Sequence, residues 1–427
     1  MITVKSFSLV GSRVSDFAAL CDKDTIAVVR PEKSLETLLR EIIQATVGHK
    51  RPIGEDFLKV EDYFRSLSRD PEYHTKVDQT LGMLETYLSQ GMYIQADLQS
   101  VEDYVLARST RLCAEAVAAE AGGLPVMDGT QLVVCKEDAP TPYFDWDQSR
   151  AEIAERCQGG GVVVAGGYGR LGSGYVIRIG RGGSHMMASL IASAVGAGQI
   201  EFFSSLADFF KGTGEITYDE AAHYCANAAS PIPSASLWPA KKAGIPISVK
   251  SIDNPAEALA LISDRSSRDG SASPISDLLV ERDLDLVTVL GTGLLGRVGM
   301  SSSIFSCMAA EGVNIRFISQ SSSEYSISFA VSRKDSDRVV AALNALVSDN
   351  KLMELDDVMV VDQHVGIVTL FGSRMKRVPG ISGKVFSALG QAGISIIASA
   401  QGGEELSISI VLDEADIDRA AASLRQL

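Results

Sequence analysis

The sequence predicts a three-layer α/β domain followed by two copies of a smaller α+β unit, and three observations carry that prediction. Short apolar runs alternate with helical patterns over residues 1–262. A stretch rich in Ser, Asp and Gly, without apolar period, follows them. Beyond it one motif occurs twice. Val287-Thr288-Val289, Gly291, Gly299, Phe305, Gly312, Ile315, Gln320, Glu324 and Ser326-Ile327-Ser328 recur, 81 residues on and without a gap. The second set is Val368-Thr369-Leu370, Gly372, Gly380, Phe386, Gly393, Ile396, Gln401, Glu405 and Ser407-Ile408-Ser409. So many ordered matches make each copy one structural unit, and the chain ends in a tandem pair.

In the first domain, residues 25–29 (TIAVV), 161–165 (GVVVA) and 245–249 (IPISV) read as strands of a sheet buried on both faces. Helical patterns lie at 32–46, 71–90, 101–120, 183–197 and 217–228. The last has Thr217 as N-cap with Glu220 three residues on, a capping-box spacing. Residues 263–282 are expected to link the domains, the segment SDRSSRDGSASPIS (263–276) being their core. The repeats are placed at 283–349 and 362–427. Each reads strand, Gly-rich loop, helix, strand, strand, helix. In the first copy these are 286–290, the 291–299 loop, a helix to about Glu311, 314–319, 325–332 and 335–347. Two such sheets joined edge to edge hide their edges and create a seam.

Composition narrows the function classes. Of 427 residues, 46% are hydrophobic and 22% charged, which excludes wholesale disorder. A net charge of −15 argues against nucleic acid and anionic membrane as partners, both of which demand a basic face. The six cysteines (Cys21, Cys113, Cys135, Cys157, Cys225, Cys307) show no CxxC spacing and read as reduced core thiols, so no metal site is expected. No apolar run reaches the ~18 residues of a membrane helix, and the first ten residues lack a signal-peptide pattern. The expected location is the cytoplasm.

The repeats, with GTGLLGRVG, AAEGVNIRFISQSSSEYSISFAV, GSRMKRVPG, QAGISIIASAQ and LSISIVLDEAD, resemble the ACT domains of aspartokinases. The first domain resembles the amino-acid kinase domain of the same enzymes in Gly180-Arg181-Gly182-Gly183-Ser184, ASLIASAVGAGQIEF, Tyr218-Asp219-Glu220-Ala221 and AKKAGIPISVKSIDNP. The resemblance implies an amino-acid kinase fold followed by two βαββαβ ferredoxin-like ACT domains. It also implies phosphoryl transfer from ATP, with magnesium, to aspartate.

Several residues that this chemistry needs are replaced. The family's first strand carries KFGGTS, whose lysine and glycines hold the transferring phosphate. Here the lysine falls on Ser6 and the glycine pair on Ser8 and Leu9. Lys5 is one residue away, which on a strand means the opposite face unless a bulge intervenes. His185 stands where GRGGSD ends in an acid, and Ser205 and Ala207 stand where WTDVDG has its carboxylates. Ser230 replaces the lysine of GAKVLHPRT, and Thr110 the glutamate of GER. Losing one preorganised electrostatic contact costs about 10²–10³ in rate. Several lost together erase a turnover that begins near 1–100 per second, even allowing for non-additivity.

Other residues match. The resemblance places Arg181, Gly182, Gly183, Ser184 and Lys250 at the substrate, with Arg181 and His185 the remnants of a catalytic set. Arg181 can clamp a carboxylate bidentately, and glycines at a helix start offer N–H groups to an anion; the other reading of the glycines is a tight strand-to-helix turn. His185 is either a general base or packing in a vacated site. For a free amino acid at the ACT seam, the resemblance implies Leu294, Arg297, Asn314, Ile315, Arg316, Gln320 and Ser321. Asn314 and Gln320 can each donate and accept. Arg316, near a position acidic in some lysine-sensing relatives, should repel lysine.

The expectation is therefore an aspartokinase relative without phosphoryl transfer and without cofactor. It binds an amino acid, assembles as a homodimer or larger, and has an active kinase as a candidate partner. The alternative is an active aspartate kinase, or a related carboxylate-processing enzyme, using ATP and Mg.

Overall fold

The computed structural model describes residues 1–427 apart from 9–12, 95, 137–142, 158, 181, 205–206, 211–212, 227–229, 265–273, 276, 291–298, 321–325, 349–356, 373–374, 377 and 404. It forms two compact units, Met1–Arg268 and Asp269–Leu427.

In the first unit the described elements are β1 (Thr3–Ser8), α1 (Val14–Ala18), β2 (Thr25–Arg30), α2 (Lys33–Ile43), α3 (Asp56–Leu67), α4 (Pro71–Tyr93), α5 (Leu98–Glu120), β3 (Val126–Asp128), β4 (Val134–Lys136) and β5 (Tyr143–Phe144). There follow α6 (Trp146–Arg156), β6 (Val162–Ala165), β7 (Tyr168–Leu171), β8 (Val176–Arg178), α7 (Gly183–Val195), β9 (Gln199–Ser204), β10 (Gly214–Thr217), α8 (Tyr218–Ala226), α9 (Leu237–Ala243), β11 (Ile247–Ser251) and β12 (Ala258–Ser263). Eight strands form one sheet in the order β10-β12-β11-β9-β1-β2-β6-β3, and β5-β4-β7-β8 form a small second sheet. Only the β11–β12 pair of the large sheet is antiparallel. Its β2 and β6 are almost wholly apolar because both faces are covered. Val163 and Ala165 join Phe7, Phe17 and Phe203 in a core with α2–α5. On the other face α7 packs on β1, β2 and β9.

Local chemistry sets the helix ends. Asp70 caps α4, its Oδ1 accepting from Glu72 N at 2.7 Å and Tyr73 N at 3.1 Å, with Pro71 opening the helix. Thr217 N donates to Glu220 Oε2 at 2.8 Å and Glu220 N to Thr217 Oγ1 at 3.2 Å, the reciprocal bonds of a capping box.

The second unit contains β13 (Asp277–Leu290), α10 (Met300–Ala310), β14 (Phe317–Gln320), β15 (Ser326–Ser332), α11 (Ser336–Ser348), β16 (Asp357–Phe371), α12 (Ile381–Gln391), β17 (Ala398–Gln401), β18 (Ser407–Asp413) and α13 (Ile417–Leu424). They make one six-stranded sheet, β14-β15-β13-β16-β18-β17. The long strands β13 and β16 are antiparallel and lie at its centre. The C-terminal half of β13 pairs with β15, while Asp277–Glu281 pair with Ile367–Phe371 of β16. Each repeat thus obtains its fourth strand from a long strand shared with the other. Bulges interrupt the ladder near 281–286, where Asp283 and His364, equivalent by the 81-residue repeat, both adopt left-handed φ (57° and 62°). Thr288 bonds Ser328 and Thr369 bonds Ser409, each at 2.9 Å, one contact made twice.

This arrangement corrects the expected linker, 263–282. Ser263 closes β12, and residues from Asp277 onward already belong to β13. Leu278 and Val280 pack into the core of the second repeat, so the C-terminal end of that segment is strand.

Candidate functional site

The features expected to hold phosphate and substrate converge on β1, β9, β11 and the start of α7, and the sheet divides them. Alternation along β1 sends Lys5 and Phe7 to one face and Ser6 to the other. Phe7 stacks on Phe17 of α1 at 4.7 Å, which fixes the Lys5 side as that of α1. Lys5 Nζ donates to Leu20 O at 2.7 Å and lies 3.8 Å from Glu201 Oε2. The register pairs Lys5 with Glu201 and Lys250 with Phe203, so Lys250 reaches the same carboxylate, Nζ to Oε1 2.5 Å. Lys250 also stands 5.8 Å over the Phe203 ring. Two half-desolvated ammonium groups therefore share one carboxylate, each at most 16% exposed in its side chain. Glu201 is a partner that the sequence reading did not single out. Its polar position in QIEFFS was visible, but the register that sets it between two lysines was not.

On the opposite face α7 begins at Gly182, whose φ of 65° suits glycine alone at little cost. A Cβ on Gly183 would meet Gly167 O at 3.0 Å and Ile179 Cγ1 at 2.6 Å. The glycines are thus required by the close turn, and their N–H groups still open a 13-residue helix. Ser184 and His185 are buried in the first turn. Ser6 Oγ, Ser184 Oγ and His185 Nδ1 have no hydrogen-bond partner among the described residues. The His185 ring packs on Phe202 at 4.6 Å. Burial, then the Arg30 charge, push its pKa down to about 3. A neutral imidazole locked against a ring is placed as packing and as a poor proton carrier at neutral pH. Of the expected substrate set, Gly182, Gly183 and Ser184 come together, Lys250 lies across the sheet, and Arg181 lies outside the described residues.

Two substituted positions have local tasks. Thr110 Oγ1, buried in α5, donates to Leu106 O at 2.8 Å. Ser230 Oγ donates to Ile232 O at 2.8 Å.

In the second unit, Leu294, Arg297 and Ser321 lie outside the described residues. Asn314 and Gln320 are exposed, and Ile315 packs against the core under α10 and α11. The strand expected from 314 begins at Phe317. Arg316 holds its N–H on Ala330 O at 2.8 Å and its guanidinium 3.9 Å from Glu281. Burial raises the Glu281 pKa, opposed by Arg316. Although β14 and β17 are the outer strands of the sheet, they lie against each other, and Ser319 Oγ donates to Ser399 O at 3.4 Å. Gln320 thus ends a strand that lies beside β17 of the other repeat, and Asn314, Ile315 and Arg316 precede that strand.

Comparison with known proteins agrees with both units. A family model described as an ACT domain matches residues 287–346 and 368–427. The chain is 32% identical over 266 residues to the bifunctional aspartokinase/homoserine dehydrogenase of Haemophilus influenzae, covering 59% of this chain and 32% of that protein. It is 27% identical over 388 residues to the chloroplastic bifunctional aspartokinase/homoserine dehydrogenase 1 of Zea mays, covering 86% and 41%. The chain thus spans less than half the length of these relatives. Among solved structures, E. coli aspartokinase III in complex with aspartate and ADP superposes with a TM-score of 0.78 at 17% identity, covering 100% of this chain and 99% of that one. Clostridium acetobutylicum aspartate kinase gives 0.75 at 19%, with the same coverage. No described helix is long and apolar enough to cross a membrane. The chain belongs to the aspartokinase family, with a tandem pair of ACT domains at its C-terminal end.

Proposed function

We propose that this chain is an aspartokinase-family protein that has lost ATP-dependent phosphoryl transfer and works as an amino-acid-binding regulatory member. The observation that carries this reading is the placement of Lys5. Its ammonium is engaged by Leu20 O and Glu201 on the α1 side of the sheet, and Ser6 occupies the α7 side. His185, buried and neutral, supplies no carboxylate there. The binding half of the reading is supported by exposed Asn314 and Gln320, before and at the end of a strand beside β17, which offer both donors and acceptors to a zwitterion. Assembly as a homo-oligomer, with or without an active kinase, belongs to the same reading.

The second reading is an active aspartate kinase, forming 4-phospho-L-aspartate. It is favoured by the intact turn at Gly182–Ser184, which leaves a buried hydroxyl unsatisfied at a helix start, and by the E. coli relative solved with aspartate and ADP. Where that reading holds, ATP and Mg are its cofactors. Thermal shifts separate the two. Under the first reading, single amino acids raise the melting temperature without nucleotide, because a ligand that binds only the folded form stabilises it. Asn314→Ala and Gln320→Ala abolish the shift. A shift with MgATP and none with any amino acid supports the second reading and removes the first. Lysine is expected to give no shift, since its ammonium would compete with Arg316 for Glu281.

A further inference from the structure

A groove of about 320 Å³ runs between α3 and α4, on the opposite side of the large sheet from α7. Buried Phe57 and Leu81 form its floor, and Ile53 and Leu58 add apolar wall, Leu58 being 58% exposed. Two glycines hold it open. A Cβ on Gly54 or on Gly82 would meet nothing within 4 Å. Gly82 stands near the middle of the 23-residue α4, where glycine weakens a helix relative to alanine. No described neighbour requires its small size, so the helix gives up stability at a point where a side chain would narrow the groove.

The charge around this apolar floor has one sign. Asp78, Leu81, Gly82 and Glu85 follow the i, i+3, i+4, i+7 spacing of a single helix face. Carboxylates therefore bracket the apolar centre, about 10 Å apart along α4. Glu61 adds a third from α3, and no basic residue lines the groove. Arg65, outside the lining, pairs with Glu61 at 2.8 Å and with Asp78. One cation thus answers two of three carboxylates, and the groove stays net negative. The wider stretch 51–85, with eight acids against five bases, has the same sign.

We infer that this groove docks an amphipathic helix of a partner protein, one with two basic residues seven positions apart and large apolar residues between them. The apolar side chains enter over Gly82 against Phe57 and Leu81, and the basic groups meet the Asp78 and Glu85 ends of the groove. A second copy of this chain suits the groove less well, because its net charge of −15 adds repulsion.

The probe is a synthetic helical peptide with two lysines seven residues apart and two leucines between them, titrated with the full chain by fluorescence anisotropy. A counterpart carries glutamates in place of the lysines. The lysine peptide should bind saturably and the glutamate peptide should not. Gly82→Leu fills the notch while favouring the helix, and should weaken binding by about tenfold or more, the worth of one buried leucine. Glu85→Gln should weaken it about threefold, as for one exposed ion pair. Glu155→Gln, which removes an exposed acid of α6, should leave it unchanged. The inference is overturned if the lysine peptide shows no saturable binding, or if both peptides bind alike. Parental affinity in Gly82→Leu and Glu85→Gln, or an equal loss in Glu155→Gln, overturns it too. So does sedimentation in which the chain self-associates and Gly82→Leu abolishes that association, since the occupant is then a second copy.

Discussion

Lys5 and Ser6 are neighbours on β1 yet serve opposite faces of the large sheet: the ammonium of Lys5 is held by Leu20 O beside α1, and the hydroxyl of Ser6 is buried on the α7 side. A period of two makes that separation unavoidable on a regular strand. No bulge is recorded between β1 and either of its neighbours. The lysine that survives in the sequence is therefore aimed away from the turn at Gly182–Ser184.

Glu201 is the structural hub of that face. Glu201→Gln removes the charge that Lys5 and Lys250 share and leaves two poorly solvated ammonium groups. Breaking such a pair should destabilise the first unit by ~2–3 kcal/mol, discounted from the fully buried case because the groups retain some exposure. Lys5→Met should cost less, since Lys250 still satisfies the carboxylate. Urea unfolding of the two variants checks the order.

His185 makes the first unit acid-sensitive. Its pKa lies near 3 when folded against an ordinary 6.5. The unfolded chain therefore binds the proton first as pH falls. Stability is unaffected above about 6.5 and declines from there down to about 3, by ~2 kcal/mol at pH 5. Comparing urea midpoints at pH 7 and pH 5, the parent should lose more than His185→Phe. Equal losses would contradict the buried neutral assignment.

Leu284→Ala removes a buried side chain from the core of the second unit, where it clusters with Leu286, Phe317, Val365, Ile367 and Val411. The expected loss is ~2–5 kcal/mol, read as a lower melting temperature. Val365→Ala should act similarly because the two positions are equivalent.

Much of this architecture was legible in the residues. Apolar runs marked β2 and β6, the 81-residue repeat marked the paired units, and Thr217 with Glu220 marked the start of α8. What escaped depended on distant partners. An exception is α3, where Phe57, Val60, Phe64 and Leu67 form a buried stripe at helical spacing that was legible but passed over. The beginning of β13, next to a Ser- and Asp-rich stretch, reads as linker until β16 is seen to supply its ladder. At the site, the turn glycines and the opposed faces of Lys5 and Ser6 follow from local geometry. The Lys5–Glu201–Lys250 cluster and the Glu281–Arg316 contact follow only from strand register and long-range packing.

The most direct measurement is product formation by the full chain with ATP, magnesium, aspartate and hydroxylamine. A chain whose first-strand lysine serves the far face should yield no aspartyl hydroxamate above a protein-free blank. Sustained hydroxamate production, abolished by Lys5→Met or by Lys250→Met without loss of fold, would contradict the account.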